Sequence, residues 1–302
     1  MKFVSIDRGN RARLAVLDGE ELVLLPDILG DLVDVAAGGT ERLAVVAEAV
    51  TARDAPRLPA AGADLRPPVR RFRRDVLCTG WNYRAHFDES VGRRGAHEVE
   101  RPQAPTFFTK GPDVVIGPTD PVAFDARLSS CWDYEAEVAL VIGRTIRSAT
   151  PGEAEAAVFG YCLANDVSQR DLQRRHGGQW LKGKSIDGTM PLGPFVATAD
   201  EVEIGAITLE CFVNGDLRQR ASTAQMAFPV GELLAELSCG MTLRPGDVVL
   251  TGTPAGIGSA RTPPVFLKEG DEMVVRGTGL GELRNRLRAV DLVGASDLVQ
   301  PG

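Results

Sequence analysis

From residue 75 to residue 290 the chain runs as one short apolar segment after another, each set off by glycine or proline. This punctuation constrains the fold more than any other feature. Residues 138–142, 208–213, 247–250 and 273–276 are the clearest strands, and only residues 153–157 and 230–237 carry a helical rhythm. The 33 glycines and 19 prolines suit many tight turns, since glycine reaches φ > 0 and proline presets φ. Strand and helix do not alternate, which disfavours a doubly wound sheet or an α/β barrel. The expected class is mostly β with some α.

The first 70 residues read differently. Residues 3–6, 13–17 and 21–25 look like strands, with Arg8-Gly9-Asn10 and Asp18-Gly19 as turns. Thr40 and Glu41 open a helix that places Leu43, Val46, Ala47 and Val50 on one face. Residues 56–74, rich in proline and arginine, read as a linker. The expected organisation is a small N-terminal α+β domain, residues 1–70, and a larger domain, residues 71–302.

A formal charge of −7 over 302 residues argues against nucleic acid or an anionic membrane as the main partner. No run reaches the roughly 18 apolar residues of a spanning helix. The start, with Lys2 and Asp7 around Phe3, Val4 and Ile6, reads as a strand rather than a secretion signal. Cys78, Cys131, Cys162, Cys211 and Cys239 are scattered without a C-x-x-C pair. They are expected as reduced core thiols of a cytoplasmic protein, not as zinc ligands.

With only His86, His97 and His176 available, any metal must rest mainly on carboxylates, which suit Mg²⁺ or Mn²⁺. Glu135 and Glu137 stand two apart where an apolar strand begins, so both face the same way. Buried, they would repel and lose solvation, and a cation between them relieves both costs. The alternative is an exposed strand edge with two solvated glutamates. Asp166 closes a second apolar run and there needs a partner, unless it only ends the strand. On a helical turn His86 and Glu89 are i, i+3 neighbours. Glutamate beside imidazole orients it and raises its basicity, though a surface pair would look the same.

Residues 178–185 match the phosphate-loop pattern G-x-x-x-x-G-K-[ST] literally. That loop needs a strand before it and a helix after it, whereas Arg170 to His176 is no buried strand and Pro191 and Pro194 follow. Lys184 is better used as an ammonium near developing negative charge; the alternative is a solvated loop lysine. The glycine-rich residues 251–258 can bring amides and a hydroxyl to an anion, or simply turn the chain.

In order, these segments resemble the fumarylacetoacetate hydrolase family over roughly residues 75–290. The resemblance is carried by Gly80-x-Asn82-Tyr83-x-x-His86-x-x-Glu89, Phe107-Phe108-x-Lys110, Asp133-Tyr134-Glu135-Ala136-Glu137 and Asn165-Asp166-Val167-Ser168-x-Arg170-Asp171. Gly183-Lys184-Ser185-x-Asp187, Pro245-Gly246-Asp247 and Thr251-Gly252-Thr253-Pro254-x-Gly256-x-Gly258 continue it. The resemblance implies a β-rich roll or sandwich of mixed sheets, usually homodimeric, with a small N-terminal domain in many bacterial members. It implies Glu135, Glu137 and Asp166 as ligands of Mg²⁺ or Mn²⁺, and His86 with Glu89 as a catalytic dyad on a lid segment. Lys184 joins the catalytic set, and Tyr83, Arg170, Gln173 and Thr253 match substrate-holding positions. Where the larger, animal-type members carry a further aspartate ligand, this chain has Thr79; that aligns it with the smaller acylpyruvase-like members.

The implied activity is hydrolysis of a carbon–carbon bond in a small 2-oxo acid, the dyad activating water and the metal and Lys184 stabilising the enolate released. The alternative on the same chemistry is decarboxylation, isomerisation, tautomerisation or hydration of a 2-oxo dicarboxylic acid, as in the degradation of aromatic compounds. The partner expected is the small substrate, with neither nucleic acid nor membrane.

Overall fold

The computed structural model describes residues 1–9, 11–89 and 103–294. Strand Ala136–Ile142 shows why the chain folds around a sheet. Every residue in it is buried. Val138, Leu140 and Ile142 enter one core cluster, and Ala139 and Val141 the other. A strand apolar on both faces belongs inside a sheet covered on both sides. It pairs antiparallel with Val158–Asn165 on one edge and Val248–Leu250 on the other. The sheet continues past Met190–Thr198 to Lys2–Arg8, Arg11–Asp18 and Glu21–Leu24 on one flank. On the other flank lie Val76–Gly80 and Thr106–Lys110. Val248–Leu250 and Val76–Gly80 run parallel, so this sheet, 12-stranded among the described residues, is mixed.

A second sheet, five-stranded among the described residues, includes Thr208–Val213 and Glu272–Gly277. Leu209, Cys211 and Val213 alternate inward and, with Met273 and Val275, pack against the first sheet. Helix Val230–Ser238 covers the same side through Leu233, Leu234 and Leu237. Helices Leu32–Ala37 and Gly39–Thr51 cover the opposite side through Leu32, Val35 and Val46. The fold is therefore mostly β with mixed sheets, as the sequence pattern required.

Lys2–Arg8 pairs with Met190–Thr198, Phe3 opposite Val196, so the large sheet crosses the boundary expected at residue 70. Residues 56–74, read as a linker, instead contribute the short strands Arg57–Pro59 and Leu65–Arg66. Each adds to a strand already in place, and tertiary pairing rather than propensity holds them. The helix expected near residue 153 runs Pro151–Glu155, opened by a capping box between Thr150 and Glu153. All five cysteines are free, but only Cys78, Cys162 and Cys211 are buried; Cys131 is half-buried and Cys239 exposed, which corrects the expectation of five core thiols. Among the described residues no helix is long and apolar enough to cross a membrane.

Candidate active site

Register brings the three acids together. Glu135 immediately precedes strand Ala136–Ile142, Glu137 is its second residue, and Asp166 follows the neighbouring strand Val158–Asn165. Ala136 pairs with Asn165, and the Asp166 amide donates to the Glu135 carbonyl at 2.8 Å. One carboxylate oxygen from each acid lies within 4.8 Å of the others. Glu135, Glu137 and Asp166 are 4%, 1% and 0% exposed, which removes the solvated-edge alternative.

Such burial needs compensation. The Lys184 ammonium, at the end of helix Leu181–Lys184, bridges Glu135 Oε2 at 2.6 Å and Asp166 Oδ2 at 2.8 Å. Lys110 Nζ takes Asp166 Oδ1 at 2.6 Å, and Arg170 Nη2 takes Glu135 Oε1 at 2.6 Å. Burial alone would raise Glu135, but Arg170 and Lys184 override it and hold its carboxyl down at about 2. Burial would likewise lower Lys184, yet Asp166 and Glu135 keep it above its ordinary value and charged. Glu137 is the exception. It accepts the Gly252 amide at 2.7 Å, and no ion pair to it forms among the described residues. Burial, then Asp166 and Glu135, push it well above the ordinary carboxylate range.

Helix Arg84–Glu89 sets the dyad, with His86 Nδ1 2.7 Å from Glu89 Oε1. The other Glu89 oxygen accepts the Gly256 amide at 2.7 Å. His86 is 5% exposed and shares one cavity wall with Thr79, Trp81, Phe108, Glu135, Glu137, Arg170, Gln173, Trp180, Lys184 and Thr253. Gln173 Oε1 accepts from Arg170 Nη1 at 3.1 Å. The Thr253 hydroxyl donates to the Ala136 carbonyl and accepts from Gln219. Tyr83 is buried near Glu137 rather than on the wall, and both raise its phenol, burial most. Its hydroxyl has no hydrogen-bond partner among the described residues.

The loop at residues 251–258 spends its amides on the protein's own acids, Gly252 on Glu137, Gly256 on Glu89 and Gly258 on Asp133. Gly252 has φ 92, and a Cβ there would meet Asn82 Cβ at 2.9 Å, so glycine is required. The phosphate-loop match fails on context. Helix Arg170–Arg175 precedes it and strand Met190–Thr198 follows. Much of the expected lid, including Arg93, Arg94, His97 and Arg101, lies outside the described residues.

Two supporting residues had no role assigned from sequence. Lys110 is fully buried against Asp166. Asp133, also fully buried, accepts Arg170 Nε at 2.9 Å and the amides of Gly258 and Ser259 at 2.7 and 2.9 Å. Both stand in the quoted motifs; for Asp133 the available signal was an acid between Trp132 and Tyr134, and Lys110, between Thr109 and Gly111, offered none so local.

The donor set fits a hard divalent cation. It is all carboxylate, buried, convergent, and contains one acid, Glu137, that has no cation paired to it among the described residues and is pushed above the ordinary carboxylate range. A mixed-sheet core carrying a buried three-carboxylate centre beside a histidine–glutamate pair has the make-up of an enzyme active site, with oxygen donors that could hold a metal ion.

The chain belongs to the fumarylacetoacetate hydrolase family. The family profile described as fumarylacetoacetate (FAA) hydrolase C-terminal matches residues 75–288. The chain is 39% identical over 224 residues to oxaloacetate tautomerase YisK of Bacillus subtilis (strain 168), covering 74% of this chain and 72% of that protein. It is similar to the solved structure of fumarylacetoacetate hydrolase from psychrophilic Exiguobacterium antarcticum, with a TM-score of 0.82, 38% identity, and coverage of 96% and 100%. It also resembles maleylpyruvate hydrolase from Sphingobium sp. SYK-6 in complex with manganese (II) ion and pyruvate, with a TM-score of 0.77, 28% identity, and coverage of 96% and 99%.

Proposed function

We propose that this chain is a Mg²⁺- or Mn²⁺-dependent enzyme that interconverts the keto and enol forms of a small 2-oxo dicarboxylic acid of the oxaloacetate type. The observation that carries this reading is the convergence of Glu135, Glu137 and Asp166 on one another, with Glu135 and Glu137 lining a cavity whose wall also holds His86. Those three acids would hold the ion. When bound, it would polarise the 2-oxo carbonyl and acidify the adjacent C–H.

The chain's own groups supply the rest. Glu89 engages His86 Nδ1 and so fixes the ring, which assigns proton exchange at the substrate's C3 to Nε2. Removal of that proton places negative charge on the 2-oxygen. Lys184, held charged in the wall, opposes it, and Arg170 adds a second cation. A proton added at that oxygen completes the enol; the reverse transfers regenerate the ketone. The net charge of −7 and a cavity walled by two cations beside the acids support a small anionic substrate rather than nucleic acid.

Hydrolysis of a carbon–carbon bond, the reaction expected first from sequence, is the second reading. The dyad that moves a C–H proton serves equally to activate water, and the structural similarity to maleylpyruvate hydrolase favours keeping it. Geometry serves both reactions; the 39% identity to an oxaloacetate tautomerase supports the tautomerase reading. The test is product analysis with Mg²⁺ or Mn²⁺ present. Accelerated enol–keto equilibration of oxaloacetate without change of mass supports tautomerisation. An acid plus a 2-oxo acid released from acylpyruvates, with no effect on oxaloacetate equilibration, overturns it.

A further inference from the structure

Strand Val76–Gly80 is buried throughout, and in such a strand valine is the natural occupant of the position Thr79 holds. Thr79 is 2% exposed, and its hydroxyl has no hydrogen-bond partner among the described residues. It lines the same cavity as Glu135, Glu137 and Lys184, yet pairs with none of them. A buried hydroxyl left unpaired costs free energy, and an isosteric methyl would remove that cost. Two of the neighbours beside the strand are apolar. Gly80 beside it is closed off by the Trp180 ring, 2.7 Å from where a Cβ would stand, and its cross-strand neighbour is Phe107. Thr79 lines the cavity, so a ligand bound there would lie beside it.

We infer that Thr79 is a substrate-binding residue whose hydroxyl donates a hydrogen bond to an oxygen of the bound 2-oxo acid. This rests on the proposed 2-oxo acid chemistry and adds a contact to it. The carboxylate, carbonyl and enol(ate) oxygens of such a ligand accept hydrogen bonds, and Thr79 offers them a neutral donor. Arg170 and Lys184, its companions in the wall, are already committed to Asp133, Glu135 and Asp166. A neutral donor adds selectivity for oxygen at one point of the cavity without a further buried charge.

The experiment compares wild type, Thr79→Val and Thr79→Ser, using Mn²⁺ alone and Mn²⁺ with oxalate or pyruvate as probes. Metal-free Thr79→Val should melt at or above the wild-type temperature. Its Mn²⁺ affinity should stay within about twofold, while its affinity for oxalate in the presence of Mn²⁺ should fall roughly tenfold or more, as expected for losing a hydrogen bond to a charged acceptor. Thr79→Ser keeps the hydroxyl and should bind oxalate within about threefold of wild type. The inference is overturned if Thr79→Val binds oxalate as wild type does, melts several degrees lower, or loses Mn²⁺ and oxalate together. It is also overturned if Thr79→Ser is as impaired as Thr79→Val, or if wild type with Mn²⁺ binds neither probe. Failure of wild type to equilibrate oxaloacetate, with these binding differences intact, would remove the tautomerase reading and leave Thr79 in place.

Discussion

Replacing Lys110 by methionine keeps the apolar stem and removes an ammonium that is fully buried, 2.6 Å from Asp166 Oδ1 and 3.2 Å from the Val167 carbonyl. Deleting one partner of a buried ion pair costs about 3–5 kcal/mol, because the remaining charge is left uncompensated. Asp166 keeps Lys184 on its other oxygen at 2.8 Å, which places the cost at the lower end, about 3 kcal/mol. At roughly 2 °C per kcal/mol for a chain of this size, the metal-free variant should melt about 6 °C below wild type. A divalent cation beside Asp166 restores positive charge there, so saturating Mn²⁺ should remove more than half of the deficit. Thermal unfolding by circular dichroism, in chelator and again in Mn²⁺, reads both effects. A variant that melts with wild type in chelator, or whose deficit Mn²⁺ does not change, contradicts the role given to the Lys110–Asp166 pair.

His86→Ala should lower turnover roughly 10²–10⁴-fold while leaving Mn²⁺ affinity nearly intact, checked by steady-state kinetics beside metal titration. Glu137 is raised by burial and by Asp166 and Glu135 above its ordinary 4.5. The folded metal-free chain therefore holds a proton that the unfolded chain releases, so this group favours folding below pH 4.5 and that contribution is lost as pH climbs through the folded-state value. Mn²⁺ displaces the proton, so its affinity should rise with pH over the same window, and Glu137→Gln should flatten the stability profile; denaturant unfolding and calorimetry across pH check the two. Trp180 meets Trp81 edge-on at 5.0 Å and Phe108 at 5.2 Å, forming part of the cavity wall. Trp180→Ala should lower kcat/KM for the compact substrate roughly tenfold and admit bulkier 2-oxo acids, read from kcat/KM across a chain-length series.

The parts of the site legible in sequence were those fixed by local periodicity. Two-residue spacing put Glu135 and Glu137 on one face, and helical i, i+3 spacing joined His86 to Glu89, as the structure has them. What sequence did not disclose depends on long-range register. Lys110 meets Asp166 across 56 residues, and Asp133 meets the Gly258 amide across 125, through strands whose order no local rule gives. The sequence of residues 251–258 leaves open whether its amides meet an anion or the chain simply turns; the fold directs three of them at Glu137, Glu89 and Asp133. The unpaired Thr79 hydroxyl was invisible because absence of a partner is a property of packing alone. Likewise the short strands at Arg57–Pro59 and Leu65–Arg66 exist only because a sheet edge is there to receive them.

Calorimetric titration of the metal-stripped protein with Mn²⁺, wild type against Glu137→Gln, addresses the carboxylate centre directly. The geometry predicts a single bound ion in wild type and an affinity weaker by at least roughly 10–100-fold when Glu137 can no longer carry charge, with the fold retained. Equal affinity and stoichiometry in the two proteins would contradict it.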